Sequence, residues 1–214
     1  MKTLIFIRHG QSQSNLNMIF TGQSNVPLTP LGMRQAENTA CFLDAFPIDV
    51  IYSSDLLRSM QTAMPTARRK GLTVVPEEGL REIFAGAWEG RSYESLAQED
   101  TEEFDRWRTD CGNSCPRDGE SVKALAKRIY ATVDRILSQE RGKCVALFTH
   151  ATPIRLMRAR WEGIDMDDLS DLPFCGNASV SVVDYADDGT FQVRLCCYDG
   201  HQGEDATTLP RGNV

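Results

Sequence analysis

The segment TLIFIRHG, residues 3–10, runs apolar from Leu4 to Ile7 and then breaks into Arg8, His9 and Gly10. A continuous apolar run without alternation reads as a strand buried on both faces, the kind found in a parallel sheet covered by helices. An arginine and a histidine at the carboxyl end of such a strand stand where open α/β sheets collect their ligands. The same pattern recurs along the chain: VIYS (50–53) and CVALF (144–148) are further buried runs, and Val74-Val75 is a shorter one. Helical patterns alternate with them. Thr29-Pro30 opens a helix to about Phe46, with Met33, Ala36, Ala40 and Leu43 on one face. Leu57, Met60, Met64 and Ala67 lie along the next, capped by Ser54 or Asp55 and stopped by Arg68-Arg69-Lys70 and Gly71. Ser121 to Leu137 carries one apolar stripe, and Thr152-Pro153 starts a helix to about Trp161. Ala178 to Asp184 and Phe191 to Tyr198 read as a strand pair joined by a turn at Gly189. Alternating strands and helices predict an α/β fold, a three-layer α/β/α sandwich with a mostly parallel central sheet, in a single domain over residues 1–214. Residues 82–118, polar and studded with aromatics, form a candidate cap insertion, and 201–214 a flexible tail.

The net charge of −7 repels phosphate backbones and acidic lipid, so neither nucleic acid nor membrane is an expected partner. An anionic substrate needs a local positive pocket within that field. No stretch approaches the roughly 20 apolar residues of a membrane span. The seven cysteines are irregularly spaced. Cys111-x-x-x-Cys115 lacks a second Cys/His pair at finger spacing, so no metal site is expected, and the thiols read as reduced in a cytoplasmic protein.

Four groups fall at strand ends: Arg8-His9-Gly10; Ser53-Ser54-Asp55 with Arg58 one turn into the helix; Thr149-His150; and Glu82 beside Arg81 in GLREIFAGAWEG. Two arginines offer forked donors matched to phosphate oxygens. Helix N-termini after Asp55 and Thr152 add backbone N–H groups aimed at the same place. Nearby cations keep a histidine neutral and nucleophilic, and a carboxylic acid such as Glu82 is able to protonate a leaving alkoxide and then activate water. The set fits phosphoryl transfer through a phosphohistidine, with arginines supplying the positive charge and no cofactor. Singly, each residue has a blander reading: a structural histidine, a surface ion-pair arginine, an exposed acid.

Several motifs, in order over roughly residues 3–200, resemble the histidine phosphatase superfamily, in its phosphoglycerate-mutase-like branch. They are RHGQSQSN (8–15), GQSNVPLTPLGMRQA (22–36), YSSDLLRSMQTA (52–63), LREIFAGAWEG (80–90), PRDGES (116–121) and FTHATPIRLM (148–157). The resemblance implies a phosphoglycerate-mutase-like fold, His9 as phosphorylated nucleophile, Glu82 as general acid and base, and Arg8, Arg58 and His150 around the phosphoryl oxygens. Asn15, Gly22, Gln23 and Ala151 are implied at the substrate; Arg155 matches a family position that on a helix also suits a carboxylate pair. The family often has glycine where Ala151 stands, and alanine fits there only with negative φ or with strain. Ala151 also replaces the proton-donating aspartate of the acid-phosphatase branch, which directs that role to Glu82. Asn25 stands where aspartate is common and reads as a turn residue.

Ser14 before Asn15 and the scattered Arg106, Arg108 and Arg117 depart from the cofactor-dependent mutases, so the expected activity is a metal-independent phosphomonoesterase. Short members of this kind include α-ribazole and broad-specificity phosphatases. The alternatives are a phosphoglycerate-mutase-type transferase and a phospho-ligand-binding pseudoenzyme. The expected partner is a small phosphorylated substrate; a homodimer is one of the states open to the chain. Phe84, Trp88, Phe104 and Trp107 either meet a substrate's organic part or fill the cap's own core.

Overall fold

The computed structural model describes residues 1–140 and 143–207. Its strands are β1 (Lys2–Arg8), β2 (Val50–Ser53), β3 (Val74–Pro76), β4 (Cys144–Thr149), β5 (Val180–Tyr185) and β6 (Phe191–Tyr198). They form one sheet in the order β3-β2-β4-β1-β5-β6. The first four pair in parallel; β5 and β6 join antiparallel to β1 and to each other. The helices are α1 (Gln13–Leu16), α2 (Pro30–Leu43), α3 (Leu57–Lys70), α4 (Tyr93–Glu99), α5 (Thr101–Thr109), α6 (Val122–Gln139) and α7 (Ala151–Glu162). They cover both faces, as the alternation predicts.

Side-chain alternation along the strands divides the core. Ile5, Ile7, Ile51, Ala146 and Phe148 face one side, where they pack with Leu43 of α2 and Ala63 and Ala67 of α3. Leu4, Phe6, Tyr52, Val145 and Leu147 face the other, against α6, α7 and the 82–118 segment. Strands buried on both faces have no polar side to present, which is why β1 and β4 read as unbroken apolar runs.

Local chemistry sets the helix ends. Ser121 accepts the Ala124 N–H to cap α6, and Thr29 accepts the Gly32 N–H ahead of Pro30 in α2. Gly71 at φ 65° closes α3. Neither Ser54 nor Asp55 caps α3, as the sequence suggested. Its N-cap is Leu56, without a side-chain bond, and the Leu57 N–H goes to Asn25 Oδ1 at 2.8 Å. Asn25, read as a turn residue, thus caps α3 from a distant loop.

Residues 82–118 hold α4, α5 and two short 3-10 turns. Their aromatics build a core of their own: Trp88 is 0% exposed and meets Phe104, Trp107 and Phe20 edge-on, and Phe20 also meets Trp107. Of the four aromatics considered for substrate contact, only Phe84 is exposed. Two further expectations change. Cys175 and Cys197, read as reduced thiols, form a disulfide with Cα atoms 5.1 Å apart; the other five cysteines are free. Residues 201–205, read as part of the flexible tail, belong to a 3-10 segment (Gly200–Asp205) held on α2, and 208–214 lie outside the described residues. Gln202, buried, donates to Thr39 Oγ1 at 2.9 Å, and Arg34 pairs with Asp205. Removing such a buried partner costs about 1–2 kcal/mol, so Gln202→Ala is expected to lower unfolding stability by that amount in urea titrations and to expose the 200–205 amides to hydrogen exchange.

Candidate active site

The parallel register sets Arg8 beside Thr149, so β1 and β4 end together. His9 N–H donates to the Thr149 carbonyl at 3.0 Å. The next residues on each strand, His9 and His150, therefore meet, with ring centroids 5.1 Å apart and planes tilted by 61°. On the other side of β4, β2 ends at Ser53, and α3 brings Arg58 back over the strand ends.

His9 is buried and held by two bonds that decide its tautomer. Nδ1 lies 2.7 Å from the Gly10 carbonyl, which is able only to accept, so Nδ1 carries the proton. The lone pair is on Nε2, where Arg58 Nε–H donates at 3.2 Å. Burial first, then the charges of Arg58 and Arg8, push the His9 pKa well below its ordinary value. His150 is pushed down in the same way by burial and by Arg58. Two neutral imidazoles thus sit among two guanidiniums. Burial lowers Arg8 and Arg58 to about 10, and both stay charged at neutral pH.

Backbone carbonyls seat the arginines. Arg58 donates to Gly22 O at 2.7 Å and Ser24 O at 3.0 Å. Arg8 donates through NH1 to Cys175 O, while its Nε is buried with no partner among the described residues. Asn15 Oδ1 accepts from Ser12 N–H and from Asn177 Nδ2 at 3.1 Å each, which turns its own amide N–H groups toward the cleft. Glu82 is 7% exposed; its two oxygens accept the N–H groups of Ile83, at 2.8 Å, and of Thr152, at 3.2 Å.

A cleft of about 60 Å³ opens among these groups, lined by Arg8, His9, Asn15, Arg58, Glu82, Ala151 and neighbours. Six of the nine residues singled out from the sequence reach it or, like His150, stack on the ring that does; Ala151 is the seventh. Gly22 and Gln23 do not line it. Gly22 serves through its carbonyl on Arg58, and Gln23 Nε2 donates to the Glu82 carbonyl at 3.1 Å. Ala151 is the first residue of α7 with negative φ, so the expected strain is absent. The α3 N-terminus gives its first amide to Asn25 and contributes Arg58's side chain instead of an N–H cradle. Arg155, weighed as a carboxylate partner, is fully buried without one.

The sequence reading missed several supports. Glu89 accepts the N–H groups of Gly22, at 3.2 Å, and Gln23, at 2.6 Å, together with the Ser24 hydroxyl at 2.7 Å, tying down the loop whose carbonyls hold Arg58. Arg128 donates to the carbonyls of Gly79, Arg81 and Glu82 and pairs with Glu120. Ser54 Oγ lies 2.8 Å from His150 Nε2, and Asn177 holds Asn15. Glu89 sits within a quoted motif, but nothing in the pattern separates a buried acceptor from a surface acid.

A profile of the histidine phosphatase superfamily (branch 1) matches residues 4–197. The chain belongs to that superfamily. As a histidine phosphatase it is a hydrolase acting on phosphoric monoesters. Among its relatives is the adenosylcobalamin/alpha-ribazole phosphatase of Escherichia coli (strain K12), 31% identical over 163 residues, covering 75% of this chain and 79% of the relative. Phosphoserine phosphatase 1 of Hydrogenobacter thermophilus is 31% identical over 183 residues, 86% of each chain. Among solved structures, Bacillus stearothermophilus YhfR superposes with a TM-score of 0.89 at 27% identity, covering 94% of this chain and 99% of that one. The mycobacterial glucosyl-3-phosphoglycerate phosphatase in complex with VO3 gives 0.85 at 27% identity, covering 93% and 100%. The histidine phosphatase fold and the phosphoglycerate-mutase-like α/β architecture are thus the same observation. No described helix is long and apolar enough to cross a membrane.

The lowered histidine pKa values give a pH dependence of stability. Below the ordinary value of 6.5 the unfolded chain binds protons that the folded imidazoles refuse, so stability falls with falling pH; above it the contribution is complete and flat. Between pH 7.5 and 5.5 each histidine accounts for a loss of about 1.4 kcal/mol. Urea unfolding at both pH values, in the wild type and in His150→Asn, is expected to show a smaller pH-linked loss in the variant by that amount.

Proposed function

We propose that the chain hydrolyses a small phosphorylated metabolite through a phosphohistidine on Nε2 of His9, with the protein's own cations doing the work that a metal does in many phosphoryl transferases. The reading rests on one observation: the His9 ring donates Nδ1–H to Gly10 O and turns its Nε2 lone pair to Arg58, inside a cleft lined by Arg8, Asn15 and Glu82. A nucleophile needs a free lone pair with fixed direction, and this ring has one.

In the first step Nε2 attacks phosphorus as the bond to the leaving oxygen breaks. Arg8 Nε, lacking a partner, and the Asn15 amide donate to the equatorial oxygens. Arg58 Nε moves its bond from Nε2 to a phosphoryl oxygen. Ser54 Oγ accepts the Leu56 N–H at 3.4 Å and gives its own proton to His150 Nε2, which leaves His150 Nδ1–H for the phosphoryl group. Glu82, protonated, gives its proton to the departing alkoxide. In the second step the Glu82 carboxylate takes a proton from water, the water oxygen bonds to phosphorus, the N–P bond breaks, and phosphate leaves.

Hydrolysis is favoured over mutase transfer by the placement of the basic residues of α5. Arg106 and Arg108 pair on the surface with Glu103 and Asp105 and do not line the cleft, so these basic residues are not placed to retain a released intermediate.

Rapid-quench labelling with a ³²P-phosphomonoester is expected to give an acid-labile, base-stable protein phosphate in the wild type and none in His9→Ala, whose kcat falls roughly 10,000-fold. Wild-type turnover by His9→Ala would remove the mechanism. Glu82→Gln is expected to lower kcat/KM, which reports the leaving-group step, about 100-fold or more for alkyl phosphates and far less for p-nitrophenyl phosphate, since nitrophenolate leaves without protonation. Equal losses on both would argue against proton donation. A chelator is expected to leave kcat unchanged.

A further inference from the structure

One interior side chain has no part in the reaction described above. Arg155 is 0% exposed, and none of its three guanidinium nitrogens has a hydrogen-bond partner among the described residues. A guanidinium keeps its charge in a protein, and burying one without an opposite charge is strongly unfavourable. Its acidic neighbours are the Cys111 thiol, pushed up to about 11 by burial and so uncharged, and the exposed Asp171. The Phe174 ring covers the guanidinium, with Cζ 4.4 Å from the ring centroid, a cation–π contact that offsets part of the burial.

Helix geometry directs this side chain toward the cleft. Arg155 lies four residues after Ala151 on α7, hence on the same helix face, and long helical side chains tilt toward the N-terminus. That end of α7 opens on the cleft: Ala151 lines it, and so does Phe174. Trp107, from the cap, lines it as well, and its Nε1–H is buried without a partner. An unpaired cation therefore stands directly behind Phe174, a half-buried ring of the cleft lining, and a second lining residue, Trp107, carries an unpaired N–H donor.

The geometry points to a second anion subsite, in which Arg155 and Trp107 receive a carboxylate carried on the organic part of the substrate as Phe174 swings aside. This deepens the phosphatase reading and rests on it. A carboxylate is planar and matches the guanidinium fork with two parallel bonds. It also slips past a displaced ring more readily than a tetrahedral second phosphate does, and the cleft is small.

The test compares kcat/KM for O-phosphoserine and O-phosphoethanolamine, which differ by the carboxylate alone. The wild type is expected to prefer phosphoserine at least tenfold. Arg155→Met is expected to bring the ratio close to one, chiefly by raising KM for phosphoserine, and Arg155→Lys to retain part of the preference. A merely structural role for Arg155 lowers both substrates together and leaves the ratio where it was, which would overturn the subsite. So would a wild type that shows no preference, or one that favours a bisphosphorylated ester over the carboxylate. Wild-type inactivity on both esters and on p-nitrophenyl phosphate would instead remove the phosphatase reading. In that case calorimetric titration of the same two esters still reads the subsite: tenfold tighter phosphoserine binding supports it and equal binding overturns it.

Discussion

The parallel pairing of β1 with β4 is the constraint on which the site depends. Its register sets Arg8 against Thr149, and the next residue on each strand is a histidine. A shift by one residue would turn every β1 side chain to the opposite face, moving Leu4 and Phe6 out of one core and Ile5 and Ile7 out of the other. The two cores therefore fix the register, and the register fixes the meeting of His9 and His150. Catalytic geometry here is a by-product of hydrophobic packing on two faces at once.

Electrostatics complete what packing begins. Arg8 and Arg58 are deeply buried, yet both are seated by carbonyl oxygens and not by carboxylates. A carboxylate partner would hold a guanidinium in place and cancel its charge; a carbonyl dipole holds it and leaves the charge available. That choice creates a positive pocket inside a chain of net charge −7. Burial, reinforced by the same unneutralised charge, keeps both imidazoles neutral, so the pocket that suits an anion also leaves a histidine lone pair free.

The sequence revealed those elements whose identity follows from period and placement. The apolar runs of β1, β2 and β4 identified buried strands, and the groups at their ends identified His9, His150 and Arg58. The ordered motifs added Glu82 and Asn15. What it hid depends on contacts between distant segments. Asn25 caps α3 across 32 residues, and Glu89 binds a loop more than 60 residues away. Neither partner is implied by spacing, since any polar side chain suits a loop equally well. The Cys175–Cys197 bridge and the docking of Gln202 on α2 are of the same kind. Composition read the last segment as loose because glycine, proline and threonine are frequent in it, while three hydrogen bonds from one glutamine decide the place of its first residues.

The loop at 22–24 grips Arg58 with main-chain oxygens and is itself gripped by Glu89 through main-chain amides. Any L-residue supplies those atoms, but Ser24 adds its hydroxyl to Glu89 at 2.7 Å, so a residue without one there removes a single bond from the seat of the arginine. Gly22 is different: a Cβ there would lie 2.2 Å from the Ile83 carbonyl and 2.6 Å from the Glu89 carboxylate. Substitution in this loop is thus possible at residue 24 for the loss of one hydrogen bond, and closed two residues earlier by the approach of backbone to backbone.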